Sequence, residues 1–534
     1  MPINSYSINK IRICLLIFSC LLSITSWYYF FHLGITNLYG DGVAHLNIAR
    51  KVVDLSDTSL WQHYVQLGSP WLPLPHLLVL PLVWNNYLWQ TGLAGSLFSM
   101  LCYVVCVQFL FEIGTIFGGL CFKKETKKSL ISGTLATLIF ALNPSILYLQ
   151  STPMTEMLFL ATFVGVVFFL LKHASDNSTI CLILSALMSC LAMLTRYEAW
   201  AILPSGFVTV LIITQGGWQN RLKMSALWLL ISLSAPFYWF WHNWAIYGNA
   251  LEFYNGFYSA KGIYLRQQER LGWADFAVGR PHLAFLLALS ASIACSGWVC
   301  LLGVVSFIKT LFVVYQEKNK ELFLKLFPSF LLIIPFIFTI YSLFTGNIQI
   351  YPLSAISLLN VRYGLNIILA IAIFPIVFLN TEKKTKPLLV FFIVIANYIW
   401  LISAGVTQLA IIQEPYRNNF NSSEARARTK LIKYLLMHPP EKQVMIFTGD
   451  LGPIIPASRL EFKDLIFEGV NSWYNDKIPE NVNTIILKEG DQLWQKLEKI
   501  PSFPKDFQLV YEVSPNPTMM VWRRVRLSPT YTSK

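Results

Sequence analysis

Six ionisable side chains stand in apolar stretches where a charge is costly, and their types point to a shared chemistry. They are Asp41 in YGDGVAHLNIAR, Glu156 in QSTPMTEMLF, Arg196 and Glu198 in LTRYEAW, His242 in FWHNWAIYG and Arg362 in NVRYGL. Carboxylates facing guanidinium groups suit a step in which a hydroxyl is deprotonated while a phosphate departs. The carboxylate orients the hydroxyl or takes its proton, and the cations stabilise charge growing on the phosphate oxygens. A phosphate-bearing substrate of such a site would be lipid-borne and arrive sideways through a bilayer. Paired charges also serve transporters, and an ion pair can simply hold a helix bundle together, so the residue types alone leave three readings open.

The elements that must position these residues are membrane spans. Of the 534 residues, 55% are hydrophobic and only 13% are charged, against about 25% in soluble globular proteins. A span needs about 20 apolar residues. About eleven are predicted, near 13–32, 92–116, 130–149, 155–171, 179–195, 199–214, 224–242, 283–308, 326–345, 364–380 and 388–409. The first follows Lys10 and Arg12 but continues through Trp27, Tyr28, Tyr29, Phe30 and Phe31 without a small-residue cleavage site, so it reads as a retained anchor.

With the N-terminus in the cytoplasm, sixteen Lys and Arg fall in short cytoplasmic segments, against eight on the opposite face before residue 410. The positive-inside rule selects that orientation, and an odd number of spans exports the tail. The formal charge of +13 is thereby mostly a record of insertion, and no nucleic-acid partner is expected. Long external loops are predicted at 33–91, 243–282 and 346–363. Within the first, WLPLPHLLVLPLVW (71–84) is too short and too broken by proline to span. It is expected along the membrane surface, with Trp61, Trp71, Trp84 and Trp89 as interfacial anchors. The aromatic run Phe237 to Tyr247 reads first as an interfacial belt and second as a sugar-stacking surface.

Two domains are predicted: a transmembrane module over 1–409 and a small extracytoplasmic α/β domain over 410–534. In the second, 423–438 has helical spacing, while KQVMIFTG, VNTIILKE, FQLVYEV and TMMVWRR read as strands. All nine Cys lie in or beside spans, so this domain is expected to fold without disulfides, and no Cys or His spacing matches a structural zinc site.

The order of these features resembles that of the GT-C membrane glycosyltransferases. A first span leads into a long loop opening on Asp41; Glu156 follows the third span, Arg196 lies between the fifth and sixth, WHNWAIYGNALEF follows the seventh, and an external α/β domain closes the chain. The layout is most similar to the bacterial branch related to aminoarabinose transferases and protein O-mannosyltransferases. The resemblance implies a bacterial inner-membrane enzyme. It would move a sugar, with inversion, from a polyprenyl-phosphate carrier to an extracytoplasmic acceptor hydroxyl on a glycolipid, glycan or protein.

By the same resemblance Asp41 and Glu156 are the catalytic acidic positions, although each also suits a helix cap. Arg196 and Arg362 are donor-phosphate ligands; Arg362 equally suits a snorkelling interfacial residue. Lys261, Arg266 and Arg270 would line the donor cleft, and His45, Glu198, His242 and Tyr258 would contact acceptor or sugar. No cofactor is required by the pattern, although Asp41, Glu156 and His45 can supply ligands to a divalent cation. Two other classes share parts of the layout: a carrier or flippase for a lipid-linked or anionic solute, and an O-antigen-type ligase or polymerase using a diphosphate-linked donor.

Overall fold

The computed structural model describes residues 5–525 except 58, 123–124, 269–275, 355–356, 380–385, 418–421, 442, 476, 501–502, 504 and 515–516. Arg270 lies outside the described residues. The chain divides into two compact units. The first comprises residues 1–36, 69–75 and 96–414, the second residues 37–68, 76–95 and 415–534. The second unit thus joins most of the long first loop to the tail.

The first unit is a polytopic helical bundle. Among the described residues seven helices are long and apolar enough to cross a membrane: Ile8–His32, Leu93–Cys121, Glu156–Asp176, Trp218–Tyr247, Val299–Glu317, Lys320–Phe344 and Val361–Leu379. Shorter apolar helices, Thr179–Met193, Tyr197–Ile213, Pro281–Ser296 and Pro387–Ile402, accompany them. Their side chains bury one another very unequally. The apolar windows of Glu156–Asp176 and Val361–Leu379 are 83% and 89% buried, against 22% for Ile8–His32. The two most enclosed helices each begin at a candidate site residue or beside one.

Two expected spans are interrupted. The run 130–149 breaks at Asn143, whose carboxamide accepts hydrogen bonds from the backbone N–H groups of Ser145 and Ile146 and so starts a new helix at Pro144. The run 283–308 is two helices, Pro281–Ser296 and Val299–Glu317, separated at Gly297. This glycine has φ +64° and ψ −150°, a region closed to residues with a side chain. The broken ladder is repaired by Asn397, which accepts from the Trp298 N–H (2.7 Å) and donates to the Ser296 carbonyl (2.9 Å). A Cβ on Gly297 would lie 2.2 Å from Asn397 Oδ1. Gly297→Ala should therefore lower the melting temperature in detergent, with a backbone cost of about 1–3 kcal/mol before Asn397 is displaced. An unchanged melting curve would show that the break is not held by this contact.

The second unit contains a five-stranded sheet in the order Leu465–Ile466, Gln443–Ile446, Val482–Lys488, Met519–Arg524, Phe507–Val513. Gln443–Ile446 pairs in parallel with Leu465–Ile466 and with Val482–Lys488, and the remaining pairings are antiparallel. Met445, Ile485, Leu487, Phe507 and Met520 form its core with Trp473. The helix Ser423–Met437 starts where Ser422 accepts from the Ala425 N–H, and it buries Ala425, Ala427, Leu431 and Leu435. The strand Leu465–Ile466 was not expected, because two residues carry no alternation to read.

The loop segments of this unit also pack. The helix Leu74–Val83 contains Pro81, and Trp84 is 72% exposed. Trp89, expected at the membrane interface, is instead 1% exposed. Its indole N–H donates to Asn47 Oδ1 at 3.1 Å, and the Arg50 guanidinium lies 4.8 Å from its ring. A tryptophan beside apolar sequence reads as interfacial whether its N–H meets a headgroup or a buried amide, and here the buried amide satisfies it.

Candidate functional site

In the first unit, four of the predicted residues meet. Glu156 opens the helix Glu156–Asp176, where a carboxylate in the first turn complements the helix dipole. The preceding turn, 150–155, is pinned from several sides. Ser23 Oγ donates to Gln150 Oε1 (2.6 Å), Ser96 Oγ to the Ser151 carbonyl (2.8 Å) and Ser99 Oγ to the Met154 carbonyl (3.1 Å). Polar side chains that would be costly in an apolar bundle are thus spent on irregular backbone, and that backbone fixes Glu156.

Arg196 follows the helix Thr179–Met193, in extended conformation before the 3-10 turn Tyr197–Ala201 that carries Glu198. The Tyr197 hydroxyl donates to the Pro70 carbonyl (3.1 Å) and accepts from the Trp239 indole (3.0 Å). Arg362 lies in the 3-10 segment Val361–Ile367, entered through Asn360 at φ +53°. Close approach holds that segment: a Cβ on Gly364 would fall 2.3 Å from the backbone of Ala291.

These placements bring the four charges within bonding distance. Arg196 Nη1 lies 3.0 Å from Glu156 Oε1 and 3.2 Å from Thr155 Oγ1, while its Nη2 lies 2.9 Å from Glu198 Oε1. Arg362 Nε is 3.1 Å from the same Glu156 Oε1. The Tyr363 ring lies 5.2 Å from the Arg196 guanidinium and 5.7 Å from that of Arg362. All four charged side chains are 5–11% exposed. The cluster is electrically neutral, as buried charges must be to avoid a desolvation cost of several kcal/mol per ion. Within it, Glu156 Oε2 is buried without a hydrogen-bond partner.

Other expected site residues of this unit lie in different surroundings. His242 is fully buried and stacks on Trp239 at 4.5 Å, which reaches Tyr197, the neighbour of Arg196, through its indole N–H. Arg266 donates to the Phe257 carbonyl (2.6 Å) and sits 3.7 Å over the Phe257 ring. Lys261 lies over Tyr254 (5.1 Å), and Tyr258, 44% exposed, meets Phe257 edge-on. These loop residues gather around 254–266, and none of these contacts is with the four-charge cluster. Of the aromatic belt, Phe237, Trp241 and Trp244 are exposed but Trp239 is fully buried.

In the second unit, Asp41 stands half-buried in the first turn of the helix Gly40–Val53. One turn later, buried His45 shares a hydrogen bond with His76, Nδ1 to Nε2, at 2.8 Å. His76 is fully buried, and burial pushes its pKa well below the ordinary histidine value, with His45 adding to the effect. Among the described residues no three His, Cys, Asp or Glu side chains come together as a metal site. The sequence missed Thr155, Tyr363 and His76. For His76 a signal existed, a lone histidine inside the apolar run LPHLLVLPLV.

No protein-family model matches the chain, and no curated protein matches it significantly. Solved structures do. ArnT from Cupriavidus metallidurans bound to undecaprenyl phosphate aligns with 98% of this chain and 99% of its own, at 10% identity and a TM-score of 0.51. The same protein in the apo state aligns over 95% and 97%, at 12% identity and 0.50. The Archaeoglobus fulgidus oligosaccharyltransferase in complex with zinc and sulfate aligns over 95% and 72%, at 11% identity and 0.45. The chain is a multi-pass membrane protein that shares its fold with this ArnT.

Proposed function

We propose that this protein is a glycosyltransferase that takes a sugar from a polyprenyl-phosphate carrier and passes it to an acceptor hydroxyl on the extracytoplasmic side of the bacterial inner membrane. The observation that carries the reading is the enclosed Glu156, Arg196, Glu198, Arg362 cluster, set at the mouths of the bundle's helices. Two guanidiniums held rigidly by carboxylates are pre-organised for a departing phosphate. The fold shared with a protein whose structure holds undecaprenyl phosphate supports the same carrier.

In the proposed reaction, the acceptor hydroxyl gives its proton to the Asp41 carboxylate and its oxygen bonds to the anomeric carbon. The bond from that carbon to the phosphate oxygen breaks, and the electron pair leaves with polyprenyl phosphate. Displacement in one step inverts the anomeric centre. Arg196 and Arg362 stabilise the leaving phosphate. Glu156 assists by fixing both guanidiniums through one oxygen, and its second oxygen accepts from the substrate. Glu198 holds the far side of Arg196.

Reconstituted protein given labelled polyprenyl-phosphate sugar should release polyprenyl phosphate only when an acceptor extract of the cell envelope is present. Movement of the intact lipid across the vesicle without bond cleavage would replace the transferase with a carrier. Turnover of diphosphate-linked but not monophosphate-linked donors would replace it with a ligase or polymerase.

A further inference from the structure

The helix Gly40–Val53 presents Asp41 in its first turn and is gripped along its second half. Asn47, Lys51 and the C-cap residue Asp54 follow at helical spacing, and all three bind one tail segment. Asn47 Nδ2 donates to the Gly452 carbonyl at 2.9 Å. Lys51 Nζ donates to Thr448 Oγ1 at 2.8 Å and lies 4.5 Å over the Phe467 ring and 5.5 Å from that of Phe462. Asp54 Oδ2 accepts from the Phe462 N–H at 3.0 Å. The chain of bonds continues: the Thr448 hydroxyl donates to Glu468 Oε1, and the Thr448 N–H donates to Glu468 Oε2 at 2.9 Å.

A lysine in this setting is expensive. Burial pulls the Lys51 ammonium below its ordinary pKa, and the nearby Glu468 carboxylate only partly opposes that. A methionine would fill the same space between the phenylalanines without the charge, so packing does not account for a lysine here. What lysine adds is a directional bond from the helix to the relay of Thr448 and Glu468.

We propose that Lys51, Thr448 and Glu468 form a positioning clasp through which the tail fixes the direction of the helix that carries Asp41. This rests on the reading of Asp41 as the group that handles the acceptor proton. The tail then acts on the rate by placing a reacting carboxylate, and misplacement by about 1 Å can cost about 10²-fold.

The test uses the full chain in lipid nanodiscs, with Lys51→Met, Thr448→Val and, as the conservative partner, Lys51→Arg. In Lys51→Met and Thr448→Val, amide hydrogen exchange at residues 40–47 should become about tenfold faster while the strand Val482–Lys488 stays protected. In the transfer assay kcat should fall about 10²-fold with KM for the lipid donor within about twofold, and Lys51→Arg should recover much of both losses. Unchanged exchange at 40–47 overturns the clasp. Faster exchange with unchanged kcat overturns its catalytic role. Absence of any transfer by the parent protein would refute the proposed function instead, and the exchange experiment would still decide whether the clasp orders this helix.

Discussion

Replacing Arg196 with methionine is expected to remove transfer activity by at least about 10²-fold and to destabilise the bundle as well. The two losses have different origins and can be separated. Arg196 is the shared partner of Glu156, Thr155 and Glu198. Without it Glu198, 8% exposed, is a buried carboxylate stripped of its guanidinium, while Glu156 still has Arg362 at 3.1 Å. Breaking a buried pair from one side costs about 3–5 kcal/mol because the remaining charge stays desolvated. The double variant Arg196→Met with Glu198→Gln removes that stranded charge, so its melting temperature should climb back towards the parent value. Its activity should not, since the group assigned to the phosphate in the proposed reaction is still missing. Recovery of both would mean that Arg196 exists to balance Glu198 and takes no part in the reaction. Arg196→Lys should be nearly as inactive as the methionine variant. One ammonium cannot span Glu156 and Glu198 in the forked geometry of a guanidinium.

The membership of this cluster was legible from residue type and position, but its wiring was not. A charge near the end of an apolar run is a local signal, so Glu156, Arg196, Glu198 and Arg362 could all be singled out from the sequence. That Glu156 Oε1 serves two arginines depends on three helix ends converging, which no single stretch encodes. Spans were readable for the same reason that they fold: an apolar run satisfies its own backbone. The break at Gly297 was not readable because Asn397, which repairs it, comes from a helix a hundred residues later. Trp89 shows the converse error. It was judged by the company of its sequence neighbours, and it is buried against Asn47 of the helix Gly40–Val53. The tail could be recognised as α/β from alternation alone, whereas its union with the first loop rests on Asn47, Lys51 and Asp54, three polar residues that an isolated helix would simply expose.

Asp41→Asn should abolish transfer, with a loss of about 10²–10⁴-fold in kcat and an unaltered fold. The side chain is half-buried, asparagine has the same shape, and the N-cap position of the helix belongs to Tyr39 and not to Asp41. Loss of the negative charge near the helix N-terminus costs only about 0.3–1 kcal/mol. The clasp at the other end of that helix involves other residues, so amide exchange over residues 40–54 should match the parent protein. Binding of polyprenyl phosphate should also persist, because the groups assigned to the phosphate are Arg196 and Arg362. A variant that still binds the carrier, keeps its helix and no longer transfers would assign the lost step to proton removal from the acceptor. Asp41→Glu tests the geometry of that step. It retains the carboxylate but moves it outward by one methylene, so activity should return only in part. Transfer by Asp41→Asn at near the parental rate would remove Asp41 from the reaction and leave the helix Gly40–Val53 as a strut that braces the tail.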